Sequence, residues 1–504
     1  MHDLPTPPAD VAVIGYGPVG EMLANLLGKA GLSVLVLERD AAPYPLPRAT
    51  HFDGEIMRLF QSVGLAGEIA SLTRQTPGMR FIDPKGEVLL DWPRPQEVGP
   101  HGWHASYRFH QPDLDQVLRR GAGRWPNVVV RTRCEVYAVD EQVDRVLIRF
   151  EDLSSGKLCR NAARYVVGCD GARSLVRRLL GSELRDLGFH ERWLVVDCVL
   201  KYDRPDLGDH SLQFCDPVRP ATYVRGTGNR RRWEIAALPH EDSSTLSRPE
   251  TVWSLLSRWI TPYDAELERA TVYTFHSLLA ASWRAGRLLI AGDAAHQSPP
   301  FLGQGLGAGL RDAANLAWKL TSVIRDGAPD SLLDTYESER FPHVREYIDL
   351  AVRLGGLVNM TGHDATLVGA GPTAAAPGQM SSIKPRLGPG LLHGSGGLVG
   401  LQAPQPVLSD GTKFDEIAGP GFVLVVHADS ALVDSDQEHR LCRAGVLLVR
   451  DGFEAFDSWL DQADVQAALI RPDRYVMAVA RTYADVEAML SLLSSMSRAD
   501  RLVA

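Results

Sequence analysis

The chain has no long hydrophobic run, no excess of positive charge and no pair of cysteines separated by two intervening residues. No apolar stretch among its 504 residues approaches the roughly 18 needed to span a bilayer. It carries 53 Lys and Arg against 62 Asp and Glu, a net charge of −9, which argues against nucleic-acid binding. Six scattered cysteines form no C-x-x-C motif, so dithiol chemistry is not expected. We predict neither a membrane span nor a nucleic-acid partner.

Two further signals are missing. Residues 1–10 are polar and proline-rich and have no basic region followed by an apolar core, so we expect no signal peptide and a reduced, cytoplasmic protein. The histidines do not follow a metal-ligand spacing such as H-E-x-x-H, so no metal is expected. What remains is an ordinary globular composition in a chain long enough for two or three domains.

A glycine-rich turn lies near the N-terminus. Residues 11–14 form an apolar run typical of a buried strand, and Gly15, Gly17 and Gly20 follow with G-x-G-x-x-G spacing. These glycines permit a tight turn, a close approach to phosphate and close packing of the next helix. A second apolar run ends in Glu38, where a carboxylate can bind ribose hydroxyls. Strand, turn, helix, strand and acid in register predict a bound dinucleotide.

A second stretch lies almost 300 residues downstream. The run Leu289-Ile290-Ala291 predicts a buried strand, and Gly292 and Asp293 follow it directly. A loop with four glycines, residues 299–309, comes next, so its backbone can approach a flat ring. Together the two stretches favour FAD over NAD. A helix cap is the alternative role for Asp293, and a flexible surface loop is the alternative for residues 299–309.

Periodicity predicts an α/β protein. We expect a Rossmann-like FAD-binding domain interleaved with a mostly antiparallel substrate domain, then a small α/β unit. The FAD-binding domain takes residues 1–75, 107–185 and 285–355, and the substrate domain takes 76–106 and 186–284. Residues 356–400, dense in Gly, Pro and Ala, form a linker, and residues 401–504 form the C-terminal domain. Within that domain we expect helices over residues 456–468 and 483–495.

Three motifs carry a resemblance to a known family. They are the turn at residues 15–20, the Asp-Gly segment at residues 168–178, and Gly292-Asp293 with its proline–glycine loop. The sequence resembles the class A flavoprotein monooxygenases, single-component FAD-dependent aromatic hydroxylases related to p-hydroxybenzoate hydroxylase. Within them it looks closest to the 3-(3-hydroxyphenyl)propionate hydroxylase type. The likeness covers roughly residues 10–350. The C-terminal unit, with Arg471-Pro472-Asp473, resembles the thioredoxin-like extension of some members.

The resemblance implies FAD as cofactor, with NADPH or NADH as a transient donor. The residues expected to bind FAD come from all three motifs and from two smaller matches: Gly15, Gly17, Pro18, Val19, Gly20, Glu38, Arg39, Arg48, Gln111, Asp170, Gly292, Asp293, Pro300, Gly303, Gly305, Leu306 and Gly307. For Gln111 and Asp170 the alternative is a helix cap, and for Arg48 a solvated surface position. No second G-x-G-x-x-G unit is evident, as expected of this class.

The implied reaction hydroxylates a phenolic ring with O2 through a C4a-hydroperoxyflavin. Because water would release H2O2, we expect an apolar substrate pocket between the loop and the antiparallel sheet. His51, Tyr223 and Pro299 are our candidates for its catalytic wall, with Tyr107, Arg225, Trp233 and Phe301 nearby. His296 is expected to pack beneath the flavin.

Other readings stay open. One is epoxidation, antibiotic inactivation or oxidative ring opening on the same frame, and another is a non-catalytic flavin-binding sensor. The sequence names neither the substrate nor the donor, and a homodimer is one partner that the C-terminal unit would allow.

Overall fold

The computed structural model describes residues 2–3, 7–360, 378–394, 397–450 and 452–496. Residues 361–377 and 395–396 of the predicted linker lie outside this range, as do residues 497–504 of the predicted C-terminal domain. The architecture is mixed α/β, as predicted, with four sheets. Within the described ranges, no helix is both long enough and apolar enough to cross a bilayer.

The first sheet includes the strand that leads into the N-terminal glycine turn. Its central strands, Ala9–Ile14, Val34–Leu37 and the end of Lys157–Gly168, run parallel and are buried almost completely because apolar residues fill both faces. The remaining members are His2–Asp3, Val128–Arg131, Cys134–Glu141, Val146–Asp152, Arg284–Ala285 and Leu288–Ile290.

Helices cover this sheet and carry most of the core. Pro18–Lys29 follows the glycine turn and packs against Gly305–Thr321. The other helices of this part are Gly54–Ser62, Ala66–Ser71, Gln111–Ala122, Leu175–Leu180 and Asp334–Val358, with a π-helical turn at Ser322–Asp326.

The second sheet has eight strands and is largely antiparallel. Its longest pair, Ala265–Ala280 with Leu184–Leu200, forms the second and third strands from the edge that begins with His296–Gln297. Among the described strands of this sheet, Ser211–Phe214 and Gly78–Ile82 are the one pair that runs parallel. Gly78–Ile82 and Val88–Pro93 therefore add an earlier part of the chain to the edge of the sheet. The other strands are Val88–Pro93, Ala221–Arg225, Arg230–Ala236 and His296–Gln297, and the helices Ser243–Leu246 and Pro249–Leu256 pack beside them.

A small three-stranded sheet joins the two large ones. His51–Asp53 and Arg74–Gln75 both pair with Ser106–Arg108 in antiparallel register. His51 lies opposite Arg108, and Asp53 lies opposite Ser106. This sheet therefore brings polar side chains to the junction of the two large sheets.

The C-terminal unit has a four-stranded sheet of its own. Val423–Val426 pairs in parallel with Leu447–Val449 and antiparallel with Ala467–Ile470, which in turn pairs antiparallel with Val476–Ala480. The helices are Phe414–Ala418, Ser435–Arg443, Glu454–Gln462 and Tyr483–Ser495. A helix predicted over residues 456–468 ends earlier, because Asp464 takes a left-handed φ of 52° and a buried strand follows it.

Candidate active site

A cavity of about 370 Å³ opens where the glycine turn, the 299–309 loop and the antiparallel sheet meet. It brings together twelve of the residues proposed from sequence: Gly17, Pro18, Val19, Arg48, His51, Gln111, Asp293, Pro299, Pro300, Gly303, Gly305 and Leu306. These residues come from segments separated by up to about 290 positions, so the fold unites the two distant stretches.

The glycines of the turn have different physical roles. Gly15 takes φ +97°, and a Cβ there would lie 2.5 Å from the carbonyl oxygen of Cys169. A Cβ on Gly20 would lie 2.2 Å from the carbonyl oxygen of Gly15. A Cβ on Gly17 would meet no protein atom within 4 Å. Gly15 and Gly20 are therefore required by packing, whereas Gly17 faces open space at the start of Pro18–Lys29.

Glu38 folds back under this turn. Its carboxylate accepts hydrogen bonds from the backbone N–H of Tyr16 at 2.6 Å and of Asp40 at 2.7 Å. Arg39 is exposed and lies 3.6 Å from Asp40. Neither Glu38 nor Arg39 lines the cavity. A contact between Glu38 and a ribose would therefore lie outside the cavity, beyond the glycine turn.

Asp293 projects into the cavity from the short 3₁₀ turn Gly292–Ala294. Its side chain is open to the cavity although the residue lies deep in the protein. Burial raises the pKa of its carboxyl group, and nearby His296 and Arg48 oppose that shift. Among the described residues its carboxylate has no hydrogen-bond partner, so a helix cap does not account for it. An unpaired carboxylate that faces the cavity is free to accept a hydrogen bond from a ligand.

Buried side chains fix the segment around Asp293. Asp312 accepts a hydrogen bond from the Gly292 N–H at 3.1 Å and pairs with His296 at 2.6 Å. A Cβ on Gly292, which has φ +64°, would lie 2.9 Å from Val19, so the two cofactor motifs touch directly. His296 is therefore a structural partner of Asp312 and does not line the cavity.

The Arg48 loop is held by polar contacts from both sides. The side-chain oxygen of Gln111 accepts hydrogen bonds from the N–H groups of Arg48 and Ala49, at 3.0 and 2.9 Å. From the sheet, Arg232 donates to the Arg48 carbonyl at 2.8 Å and pairs with Asp197 at 2.7 Å. The Arg48 side chain itself is exposed.

Asp170 makes the contacts of a helix cap. Its carboxylate accepts hydrogen bonds from Leu175 N–H at 2.6 Å and from the Ser174 hydroxyl at 2.5 Å, at the start of Leu175–Leu180. Arg177 on that helix donates to the Ala294 carbonyl at 3.0 Å. Asp170 does not line the cavity, so this motif braces the Asp293 segment.

The 299–309 loop supplies a wall and a helix start. Pro300–Leu302 forms a 3₁₀ turn, Gly303 takes φ +64°, and Gly305–Thr321 begins without a side-chain cap. The free N–H groups of its first turn create a positive electrostatic end beside the cavity. Gly307 is buried behind this turn, where a Cβ would lie 2.8 Å from Arg311.

His51 and Ser106 form a hydrogen-bonded pair at the far wall. His51 Nε2 lies 2.7 Å from Ser106 Oγ, and Nδ1 lies 3.2 Å from the Gly303 carbonyl oxygen. Since that carbonyl can only accept, Nδ1 carries the proton and Nε2 accepts from the serine. Burial and the charge of Arg108 lower the pKa of His51 to about 3, so the ring is neutral.

Tyr223 does not reach the cavity. Its ring packs against Trp233 on the opposite face of the sheet, inside an apolar cluster. The alternating neighbours Thr222, Val224, Arg232 and Glu234 line the cavity instead. Both faces of these strands are buried, so alternation alone could not indicate which face meets the substrate.

Tyr107 and Arg225 also lie away from the cavity lining. Tyr107 stacks on Phe52, and Arg225 pairs with Asp209. Phe301 packs against Phe189 and Trp193 behind the loop.

The cavity that we expected to be apolar also has charged side chains in its wall. Arg94, Arg108, Arg232 and Glu234 contribute to its wall. Arg108 is buried and donates to Ser211 Oγ at 2.5 Å, but its Nε has no partner in the described part of the chain. Sequence reasoning missed these arginines because a buried arginine has no local signature. For Arg108 one signal was available: it lies two residues after Ser106 on one strand, so both side chains point to the same face.

The residues present fit FAD. Open space at Gly17 beside a helix start suits a pyrophosphate, and the unpartnered Asp293 carboxylate suits a ribityl hydroxyl. The uncapped start of Gly305–Thr321 suits the electron-rich edge of a flavin. Within the described ranges, no three His, Cys, Asp or Glu side chains meet as a metal site would require.

Comparison with known proteins agrees with this geometry. The family described as FAD binding domain matches residues 8–351. The chain belongs to this family of flavin-dependent aromatic hydroxylases. A second family model, described as HcaD C-terminal domain, matches residues 431–495. FAD is therefore the cofactor, and the chain is an FAD-dependent monooxygenase, as the motifs predicted.

Alignments with two relatives span most of this chain and most of each relative. A probable NADH-specific resorcinol 4-hydroxylase of Rhodococcus jostii is 39% identical over 95% of this chain and 93% of its own. A 3-(3-hydroxy-phenyl)propionate/3-hydroxycinnamic acid hydroxylase of Burkholderia cenocepacia is 34% identical over 93% of each.

Solved structures show the same fold. The flavin-dependent monooxygenase PieE, in complex with FAD and substrate, matches with a TM-score of 0.82 at 18% identity, covering 98% of this chain and all of that one. Aklavinone-11 hydroxylase with FAD and aklavinone matches with a TM-score of 0.79 at 21% identity and the same coverage.

Proposed function

We propose that this protein hydroxylates a small phenol of the resorcinol type, with NADH as the electron donor. The observation that carries the proposal is the Ser106–His51 pair in the cavity wall, within a chain 39% identical to a probable NADH-specific resorcinol 4-hydroxylase. When bound, FAD would supply hydride acceptance from NADH and activation of O2, with one oxygen atom going to the ring and the other leaving as water.

The cofactor end of the cavity binds and orients FAD in this proposal. Gly17 and the start of Pro18–Lys29 take the pyrophosphate, and Asp293 accepts a hydrogen bond from the ribityl chain. The first N–H groups of Gly305–Thr321 face the flavin and stabilise negative charge that develops there. Pro299 and Pro300 exclude water from one side of the ring.

Ser106 and His51 manage the substrate proton. The neutral His51 accepts a hydrogen bond from the Ser106 hydroxyl. A lone pair on Ser106 Oγ is then free to accept a hydrogen bond from a phenol. This contact polarises the O–H bond and enriches the ring in electrons. The positive charge of Arg108 stabilises the resulting phenolate character.

A second candidate substrate is a phenol that carries a carboxylate. The unpaired Nε of buried Arg108 favours it, because a buried guanidinium with a free donor suits a carboxylate oxygen. The 3-(3-hydroxy-phenyl)propionate hydroxylases, 34% identical, act on such acids by name.

A substrate panel separates these proposals. NADH consumption and product mass are measured with resorcinol and with 3-(3-hydroxyphenyl)propionate, for the wild-type protein and for Arg108→Gln. Product from resorcinol, with one added oxygen per NADH, supports the first proposal. Turnover of only the acid, with a KM raised at least tenfold by Arg108→Gln, supports the second. NADH oxidation that yields only H2O2 with every phenol contradicts both.

We also propose the division into domains. Residues 1–75, 107–185 and 285–355 bind FAD, residues 76–106 and 186–284 hold the substrate, and 356–400 link them to residues 401–504. Membership of the nine- and eight-stranded sheets supports the first two domains. In the C-terminal unit, two parallel strands followed by two antiparallel ones support a thioredoxin-like domain. A homodimer and a cytoplasmic location stay predictions.

A further inference from the structure

A short segment of the C-terminal unit, residues 471–475, is inserted against helix Gly305–Thr321. Arg471 binds Asp473 through two hydrogen bonds of 3.0 and 2.6 Å, and Asp473 in turn accepts from Trp318 Nε1 at 3.1 Å and Asn315 at 3.3 Å. Both charged side chains are buried. The contacts reach the second half of the helix.

A buried ion-pair group extends this contact. Glu339 binds Arg471 at 2.9 Å and Lys319 at 2.7 Å, and all three side chains are inaccessible to solvent. Arg471 and Lys319 hold the pKa of Glu339 well below its usual range, although burial opposes them. Such pairs hold their geometry tightly, because breaking one leaves a charge buried without a partner.

Tyr475 reaches the other end of the same helix. Its hydroxyl donates to Glu55 Oε1 at 2.8 Å, and Glu55 Oε2 accepts from Arg311 Nε at 2.7 Å. Arg311 then donates to the side chain of Gln304 at 3.2 Å and to Asp53 at 2.6 Å. Gln304 is the N-cap residue directly before Gly305–Thr321. A chain of hydrogen bonds therefore joins the C-terminal unit to the helix start beside the cavity.

We propose that residues 471–475 are a positioning segment for the flavin. Through Tyr475, Glu55 and Arg311 they hold Gln304, and so they fix the direction of the first N–H groups of Gly305–Thr321. Preorganised donors stabilise developing charge only when their positions are fixed within fractions of an ångström and their directions are fixed as well. The inference rests on the flavin placement proposed above and assigns a role to the C-terminal unit, which lacks dithiol chemistry.

Tyr475→Phe tests this role, since it removes one hydroxyl and keeps the buried ring. In the apoprotein, hydrogen exchange of the peptide covering residues 303–309 should quicken about fivefold or more. With FAD bound, the share of NADH that ends as H2O2 should rise severalfold, while the KM for NADH stays unchanged. The matched control is Tyr483→Phe in the same unit, whose exposed hydroxyl binds Asp434. It should change neither quantity.

A double-mutant cycle examines the route. If Tyr475 acts through Glu55, then Glu55→Gln should raise exchange and H2O2 release in the same way, and the double variant should add little. Additive effects, or wild-type exchange in Tyr475→Phe, would overturn the proposal. Should Tyr475→Phe fail to fold, wild-type exchange and H2O2 release in Glu55→Gln would overturn it equally. Failure of the flavin placement is separate, because it would appear as full FAD binding by Asp293→Ala.

Discussion

Asp293 is a carboxylate held at the wall of a cavity, with burial raising its pKa and no protein donor within reach among the described residues. The surrounding chain cannot relax around it, because Gly292 is bound by Asp312 and contacts Val19 closely. Its carboxylate is therefore held in place and is available to a ligand that donates hydrogen bonds.

Asp293→Ala should weaken FAD binding about 10- to 100-fold, the usual effect of losing a hydrogen bond to a charged group. The protein should purify with little yellow colour, and titration of the apoprotein with FAD measures the change. Asp144→Ala, at an exposed surface position, serves as control. Stoichiometric FAD in Asp293→Ala would refute the assignment.

A second carboxylate gives a pH dependence of stability. Asp115 is buried on Gln111–Ala122, and burial raises its pKa to about 7 from an ordinary value of 3.8. Because the folded pKa exceeds the unfolded one, the folded state binds more protons between about pH 4 and 7. Stability from this group therefore falls as pH rises through that window.

Asp115→Asn should remove this loss. At pH 8 we expect the variant to be more stable by about 1–3 kcal/mol, and at pH 4 to differ little. Urea unfolding at both pH values measures the effect, with Asp113→Asn on the same helix as control. A variant equally destabilised at both pH values would show that Asp115 is needed for its hydrogen bond to Gln111.

At the scale of elements, two glycines of the N-terminal turn have different roles: Gly20 is needed for packing, and Gly17 is proposed to face the cofactor. Gly20→Ala would place a Cβ 2.2 Å from the Gly15 carbonyl and should displace Pro18–Lys29. The melting temperature of the apoprotein should fall, since overpacking costs about 1–3 kcal/mol. Gly17→Ala meets no protein atom, so it should leave that temperature unchanged and weaken FAD binding. Equal melting temperatures for both apoprotein variants would contradict this assignment.

The sequence predicted most elements because buried strands and amphipathic helices have a clear period. Tyr483–Ser495 matches its predicted range, and Ala9–Ile14 contains the predicted strand. Local pattern did not indicate which face of Ala221–Arg225 meets the cavity, because apolar residues cover one face and buried polar residues the other. Tyr223 was therefore proposed for the pocket, whereas Thr222 and Val224 line it.

Across the whole molecule, charge joins the C-terminal unit to the rest of the chain. The sequence predicted a separate α/β unit, and it did not predict that Arg471 and Asp473 are buried, because these residue types normally lie in solvent. Their burial against Glu339 and Trp318 depends on contacts between segments more than 130 positions apart. Such pairings leave no period to detect.

Arg471→Ala should destabilise the whole protein by about 3–5 kcal/mol, because it leaves the Asp473 carboxylate buried without a cation and removes one of the two cations that bind Glu339. Thermal unfolding followed by flavin fluorescence and by tryptophan fluorescence should shift together. The exposed pair of Arg481 with Asp464 provides the control, where Arg481→Ala should change stability by less than about 1 kcal/mol. A loss restricted to the C-terminal unit would show that the two parts unfold independently.

The insertion of residues 471–475 has a consequence for synthesis. Lys319 and Glu339 leave the ribosome well before Arg471, yet in the finished protein the three are inaccessible to solvent. A nascent chain that has not yet released residue 475 cannot bury that charge in its final pairing, nor anchor Glu55 through Tyr475. The nucleotide-binding half of this enzyme therefore reaches its final charge pairing only after residues 471–475 have left the ribosome.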